Sequence, residues 1–134
     1  MRIVSVSENH NIEKRIAITP DIAKKYIALG LEVSLPENYG EHLGFKDNDY
    51  KELGVEIFKK DVDVLNNADI IVQLGLLSDD NLLTLKENQT LVGVFNPHIH
   101  KEKIKNLSKK NINIFSLEML PRITRAQSMD ILSS

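Results

Sequence analysis

The chain has 134 residues, 42% hydrophobic and 27% charged, the balance of one globular domain rather than a disordered segment. Its 17 basic and 19 acidic residues are interspersed and leave a net charge of −2, so no strong field draws it to nucleic acid or an anionic membrane. With no cysteine, it has no disulfide, no thiolate metal site and no cysteine nucleophile. Along the chain, Ile3–Val6 reads as a strand that follows Met1 and Arg2 directly, with no apolar stretch of signal-peptide type. No window reaches the ~20 apolar residues of a membrane span, and the expectation is a water-soluble, cytoplasmic domain.

Thr19-Pro20-Asp21 then announces a helix: a capping hydroxyl, a proline suited to the first turn and an acid at the positive end of the dipole. Ile22, Tyr26 and Leu29 follow at helical spacing, and Gly30 can close the end. Further strands are expected at Leu31–Leu35, Val55–Phe58, Ile70–Leu74, Leu91–Phe95 and Ile112–Phe115. Most of these runs are β-branched and lack alternation, as strands buried on both faces do. Helices are expected over Asp47–Leu53 (stopped by Gly54), Val62–Asn67, Ser78–Leu85 and Lys101–Lys110. The last carries Ile104 and Leu107 inward and turns Lys101, Lys103, Lys105, Lys109 and Lys110 to solvent. Strands alternating with helices predict a three-layer, Rossmann-like or flavodoxin-like α/β domain over residues 1–134, mostly parallel, with helices on both faces.

In such a sheet the loops leaving the strand C-termini line the site. They are Ser7–Lys14, Pro36–Gly44, Gly75–Leu77, Asn96–His100 and Glu118–Arg125. None carries a familiar catalytic pattern. His10, His42, His98 and His100 are scattered, and the last two read with Pro97 as a capped loop rather than a metal site. There is no Gly-x-Ser-x-Gly segment and no Gly-x-Gly-x-x-Gly phosphate cradle. Two segments stand out instead. In Glu13-Lys14-Arg15-Ile16-Ala17-Ile18-Thr19-Pro20 an arginine precedes a capped helix, and its planar fork can grip a carboxylate or amide oxygen. After the last strand, Arg122, Arg125, Gln127, Asp130 and Ser133 crowd a segment that Met129, Ile131 and Leu132 make half apolar, which suits an interface. Arg125–Ser134 reads as the start of a helix, as expected of a fragment or a split subunit.

These segments together resemble the N-terminal domain of the alanine dehydrogenase and nicotinamide nucleotide transhydrogenase family. Glu13–Pro20, Tyr39-Gly40-Glu41 to Gly44-Phe45, Ala68-Asp69 and the closing run sit where that family has them. Pro121-Arg122-Ile123-Thr124-Arg125-Ala126-Gln127-Ser128-Met129-Asp130 is the most specific stretch and is similar to the transhydrogenase branch. Where alanine dehydrogenases use a lysine and a histidine, this chain has Gly75 and Asn96; only Arg15 matches, and it keeps its proton near neutral pH.

Transhydrogenation needs neither nucleophile nor protein base, only two nicotinamide rings held in contact. The resemblance implies that Arg122 and Ser133 contact the nicotinamide end of NAD(H). It also implies that Gln127 reaches toward the NADP(H) side and that Asp130 completes the loop. A Rossmann domain for the adenosine and pyrophosphate groups would follow Ser134, leaving this domain inactive alone. Further implications are a homodimer of the complete subunit, NADP(H) held by a partner domain, and peripheral association with the inner membrane through a proton-translocating beta subunit. A fragment of an alanine- or saccharopine-type dehydrogenase, and a non-catalytic module of the same fold, are the alternatives.

Overall fold

The computed structural model describes residues 1–8, 15–94 and 101–116. Six strands form one sheet: β1 (Arg2–Val4), β2 (Glu32–Pro36), β3 (Glu56–Phe58), β4 (Ile70–Gln73), β5 (Thr90–Gly93) and β6 (Asn113–Ser116). Their order is β3-β2-β1-β4-β5-β6, and every pairing is parallel. The sequence predicts a mostly parallel sheet; what forms is wholly parallel.

Helices α1 (Pro20–Ala28) and α2 (Asp47–Lys51) cover one face; α3 (Asp61–Asn66), α4 (Asp79–Leu83) and α5 (Lys101–Lys109) cover the other. Neighbouring strand residues feed opposite layers. Ile3 and Val72 join Ile22, Val33, Leu35, Tyr39 and Tyr50, whereas Val4 and Ile71 join Val64, Leu65, Leu91 and Leu107. Central strands buried on both sides explain the unalternating runs. The edge strands depart from that rule: β6 alternates, and Phe115 on it stays 57% exposed.

The helix signals act as their chemistry requires. Thr19 Oγ1 accepts from the Ile22 backbone N–H, and Ser78 Oγ accepts from Asn81 N, both at 3.4 Å. Gly30 and Gly54 follow α1 and α2 in the left-handed region, at φ 89° and 101°. The five lysines of residues 101–110 are exposed, as expected, and Lys103 pairs with Asp79 at 2.8 Å. A short 3-10 turn, Glu41–Leu43, has no local signal in the sequence. At the N-terminal ends of the strands Arg2 binds Glu56 at 2.7 Å, Glu32 at 2.9 Å and the buried Ser34 hydroxyl, fastening β1, β2 and β3.

Most strand boundaries differ from expectation by a residue or two, and one difference has a clear cause. The apolar run predicts strand throughout Ile3–Val6, but the ladder of β1 stops at Val4 while Ser5 and Val6 remain fully buried. The Gln73 side chain, 1% exposed, takes over. Its Oε1 accepts from Val6 N at 2.7 Å, and its Nε2 donates to Val6 O at 3.2 Å. A side-chain amide here replaces the peptide group of a neighbouring strand.

Two tyrosines complete the α1/α2 layer. Tyr39 and Tyr50 meet edge to face, ring centroids 6.2 Å apart, both fully buried. Burial raises both phenols far above their ordinary value near 10, and it raises the half-buried Tyr26 as well. The unfolded chain gives up these protons near pH ~10 while the folded chain keeps them. The stability they lend is therefore complete below that pH and falls as pH rises above it. In an alkaline titration the phenolate absorbance of Tyr39 and Tyr50 should appear together with loss of far-ultraviolet circular dichroism. Two tyrosines ionising near pH ~10 with the dichroism intact would contradict their burial.

Candidate functional site at the strand crossover point

From β1 the chain winds outward to β2 and β3; it then crosses back to β4 and winds the other way to β5 and β6. β1 and β4 are hydrogen-bonded neighbours, yet the loops leaving them part in opposite directions. The crevice between their C-terminal ends is where open α/β sheets bind ligands.

A line of buried polar groups builds this crevice. The Tyr39 hydroxyl donates to Ser5 Oγ at 2.9 Å, and Ser5 donates to Gln73 Oε1 at 2.7 Å. Gln73 Nε2 donates to Glu8 Oε2 at 2.9 Å. Glu8, 9% exposed, also accepts from Leu74 N at 2.9 Å through Oε2 and from Gly75 N at 3.1 Å through Oε1. At the other end Tyr39 accepts from Ala17 N and Ile18 N, each at 3.1 Å, while Tyr50 donates to Ile18 O at 2.9 Å. Among the described residues no buried side-chain nitrogen or oxygen lacks a partner. The line ties together the exit of β1, the exit of β4 and the run that leads into α1.

Gly40 permits the approach. A Cβ there would stand 3.0 Å from both Phe45 Cβ and the Tyr50 hydroxyl, so only glycine lets this loop close on the tyrosines. Gly75 differs. A Cβ added there would meet Glu8 Oε1 at 3.6 Å, an ordinary contact, so packing does not demand glycine at the head of this loop.

Arg15 lies exposed at the start of the buried run Ile16, Ala17 and Ile18, which the two tyrosines hold in place. The remaining expected site residues, Arg122, Gln127, Asp130 and Ser133, lie outside the described residues, as do His10, Glu13, Lys14, Asn96, His98, His100 and Arg125. Among the described residues no three histidines, aspartates or glutamates gather as a metal site. No described helix is long and apolar enough to cross a membrane.

Sequence patterns do not single out Ser5, Glu8, Tyr39, Tyr50 or Gln73 as site groups. The available signal is polarity in the wrong place. Ser5 and Gln73 interrupt runs otherwise apolar enough for a buried strand, and a buried polar group must find a partner.

Comparison with known proteins gives this crevice a context. The family described as "Alanine dehydrogenase/PNT, N-terminal domain" matches residues 5–134. The chain belongs to that family. One relative, the first of the separately encoded pieces of the NAD(P) transhydrogenase alpha subunit in Rickettsia prowazekii, is 38% identical over all of this chain. Its namesake in Rhodospirillum rubrum is 32% identical, again over all of it. The chain spans 36% of the length of either relative. The transhydrogenase of Sinorhizobium meliloti superposes with a TM-score of 0.85 at 27% identity, over 98% of this chain and 39% of that one. These matches agree with the family resemblance read from the sequence and with the Rossmann-like sheet.

In this family member the Tyr39 hydroxyl is a structural hub. Tyr39→Phe would strand the Ala17 and Ile18 N–H groups and remove the donor to Ser5. It should cost about 2–3 kcal/mol in urea unfolding with an unchanged m-value. A loss below about 0.5 kcal/mol would show that water replaces the hydroxyl without penalty.

Proposed function

We propose that this chain is the nicotinamide-side domain of the alpha subunit of a proton-translocating NAD(P) transhydrogenase. On this reading the complete subunit transfers hydride between NAD(H) and NADP(H). The names of its full-coverage relatives support the reading, and the observation that carries it is the character of the crevice. Where dinucleotide-binding sheets place a glycine-rich turn and a helix N-terminus for the pyrophosphate, the segment after β1 has no glycine and presents the Glu8 carboxylate. The Leu74 and Gly75 N–H groups are already spent on that carboxylate.

Those residues do not suit a pyrophosphate, whose charge the carboxylate repels. They do suit the uncharged or cationic nicotinamide end, for which a nearby negative charge is harmless or favourable. A division of labour follows, in which the rest of the subunit holds the adenosine and phosphates.

Bound NAD(H) supplies the hydride, so this chain need only orient and exclude water. Arg122 and Ser133 are assigned to the carboxamide of NAD(H), Gln127 to the facing NADP(H) ring and Asp130 to the hydrogen bonds that hold the loop. The missing proton carrier at Gly75 fits the same chemistry, because direct hydride passage calls for no general acid or base. The wider assembly follows from the same reading. The complete subunit pairs with itself, NADP(H) sits on a partner domain, and attachment to the inner membrane runs through the beta subunit.

Gln127→Asn in the complete subunit should slow hydride transfer from NADH to an NADP analogue more than it weakens NADH binding, since it disturbs alignment rather than anchoring. Equal losses in both would remove Gln127 from that role. The 134-residue chain alone should show no tight uptake of NADH in titration calorimetry. Micromolar binding by the isolated chain would overturn the division of labour.

A further inference from the structure

We propose that Glu8 is a positioning residue of the nicotinamide site, the group that fixes the Gly75–Leu77 loop as one wall of the crevice. The inference deepens the functional reading above and rests on it. Glu8 stands four residues past the end of β1, yet its carboxylate reaches across the crevice to the exit of β4. It accepts from Gln73 Nε2 at 2.9 Å, Leu74 N at 2.9 Å and Gly75 N at 3.1 Å.

Leu74 and Gly75 are the first two residues beyond β4, where the ladder to β5 has ended at Gln73–Gly93. Their N–H groups have lost the sheet as an acceptor, and the carboxylate takes its place. One side chain thereby sets the direction in which the β4 loop leaves the sheet. That loop runs on through Leu77, which is buried, and into the Ser78 cap of α4.

A purely structural tie is a poor account of this arrangement. Desolvating a carboxylate is costly, and an apolar pair of similar volume would join two loops as well or better. The acid sits instead at the mouth of the crossover crevice, with both oxygens oriented by three donors. The geometry also asks for a carboxylate and not merely a polar group. An amide in its place can offer one oxygen to Leu74 N and Gln73 Nε2, but it then turns its own N–H groups toward Gly75 N, and that contact becomes repulsive. The effect of losing the charge is thus directed at the first residue of the loop.

The test compares Glu8→Gln and Glu8→Asp with Val64→Ala, a fully buried substitution in the layer beyond the other face of the sheet. Hydrogen exchange on the 134-residue chain should show the Gly75 amide exchanging about tenfold or more faster in Glu8→Gln than in Val64→Ala of equal melting temperature. In the complete subunit, kcat for hydride transfer from NADH to a thionicotinamide NADP analogue should fall on the order of tenfold or more, while KM for NADH changes less than about threefold. Val64→Ala should keep the full rate. Glu8→Asp keeps the charge and folds, but its shorter arm cannot serve both Oε contacts, so it should lie between Glu8→Gln and the unsubstituted protein. Unchanged Gly75 exchange, or rates for both Glu8 variants equal to that of Val64→Ala, overturns the proposal while leaving the transhydrogenase reading intact. An unsubstituted complete subunit that moves no hydride overturns the reading itself, and Glu8's role with it.

Discussion

A side-chain amide buried inside a parallel sheet admits no half measures, and much of this domain is arranged around satisfying one. Gln73 has two acceptor positions and two donor hydrogens. They are met by Ser5 Oγ, Val6 N, Val6 O and Glu8 Oε2. A primary amide left unpaired at 1% exposure would cost several kcal/mol. Pairing it forces the chain after β1 to stay alongside β4 for two residues beyond the last ladder bond. Ser5 must then face Gln73, which lets the Tyr39 hydroxyl donate to Ser5, and Tyr39 in turn collects the N–H groups of Ala17 and Ile18. Three loops distant in sequence are located by one requirement.

The same requirement gives the crevice its charge. Gln73 donates outward to Glu8, and Glu8 draws in the backbone of Leu74 and Gly75. A strand order that elsewhere frames a phosphate thus ends here in an acid. The sheet still performs the general service of such folds, bringing loops from several strands to one place. Its mouth is better suited to the aromatic end of a nicotinamide nucleotide than to the pyrophosphate. The chain's short span relative to its relatives is consistent with that specialisation, since their full length leaves room for a second domain to bind the rest.

Much of the architecture is legible in the sequence because periodicity and capping are local. The Thr19-Pro20-Asp21 cap, the stops at Gly30 and Gly54 and the unalternating runs of β4 and β5 depend on a few neighbouring residues. What stays hidden is long-range. Gln73 and Val6 are 67 positions apart, and Tyr39 and Ser5 are 34 apart; no window on the sequence joins them. Periodicity overextends β1 for that reason: Ser5 and Val6 have strand-like burial without strand pairing. The expected site residues Arg122, Gln127, Asp130 and Ser133 come from family resemblance, not from any local pattern, and of the two segments that stand out in the sequence only Arg15 and the run after it fall among the described residues.

Position 75 shows how the two branches of the family can share this sheet and differ in chemistry. Space for a side chain exists there, since a Cβ would only touch Glu8 Oε1 at 3.6 Å. A lysine at this place would set its ammonium beside a buried carboxylate, with the proton held ready by the pair, as amino-acid oxidation at a carbonyl carbon requires. With glycine, the carboxylate faces backbone N–H groups instead and holds the loop through them. The acid is then left with a geometric task, in a site whose reaction asks nothing of a protein base. The crevice can therefore be read as one scaffold whose acid either poises a proton or sets a wall, according to what stands opposite.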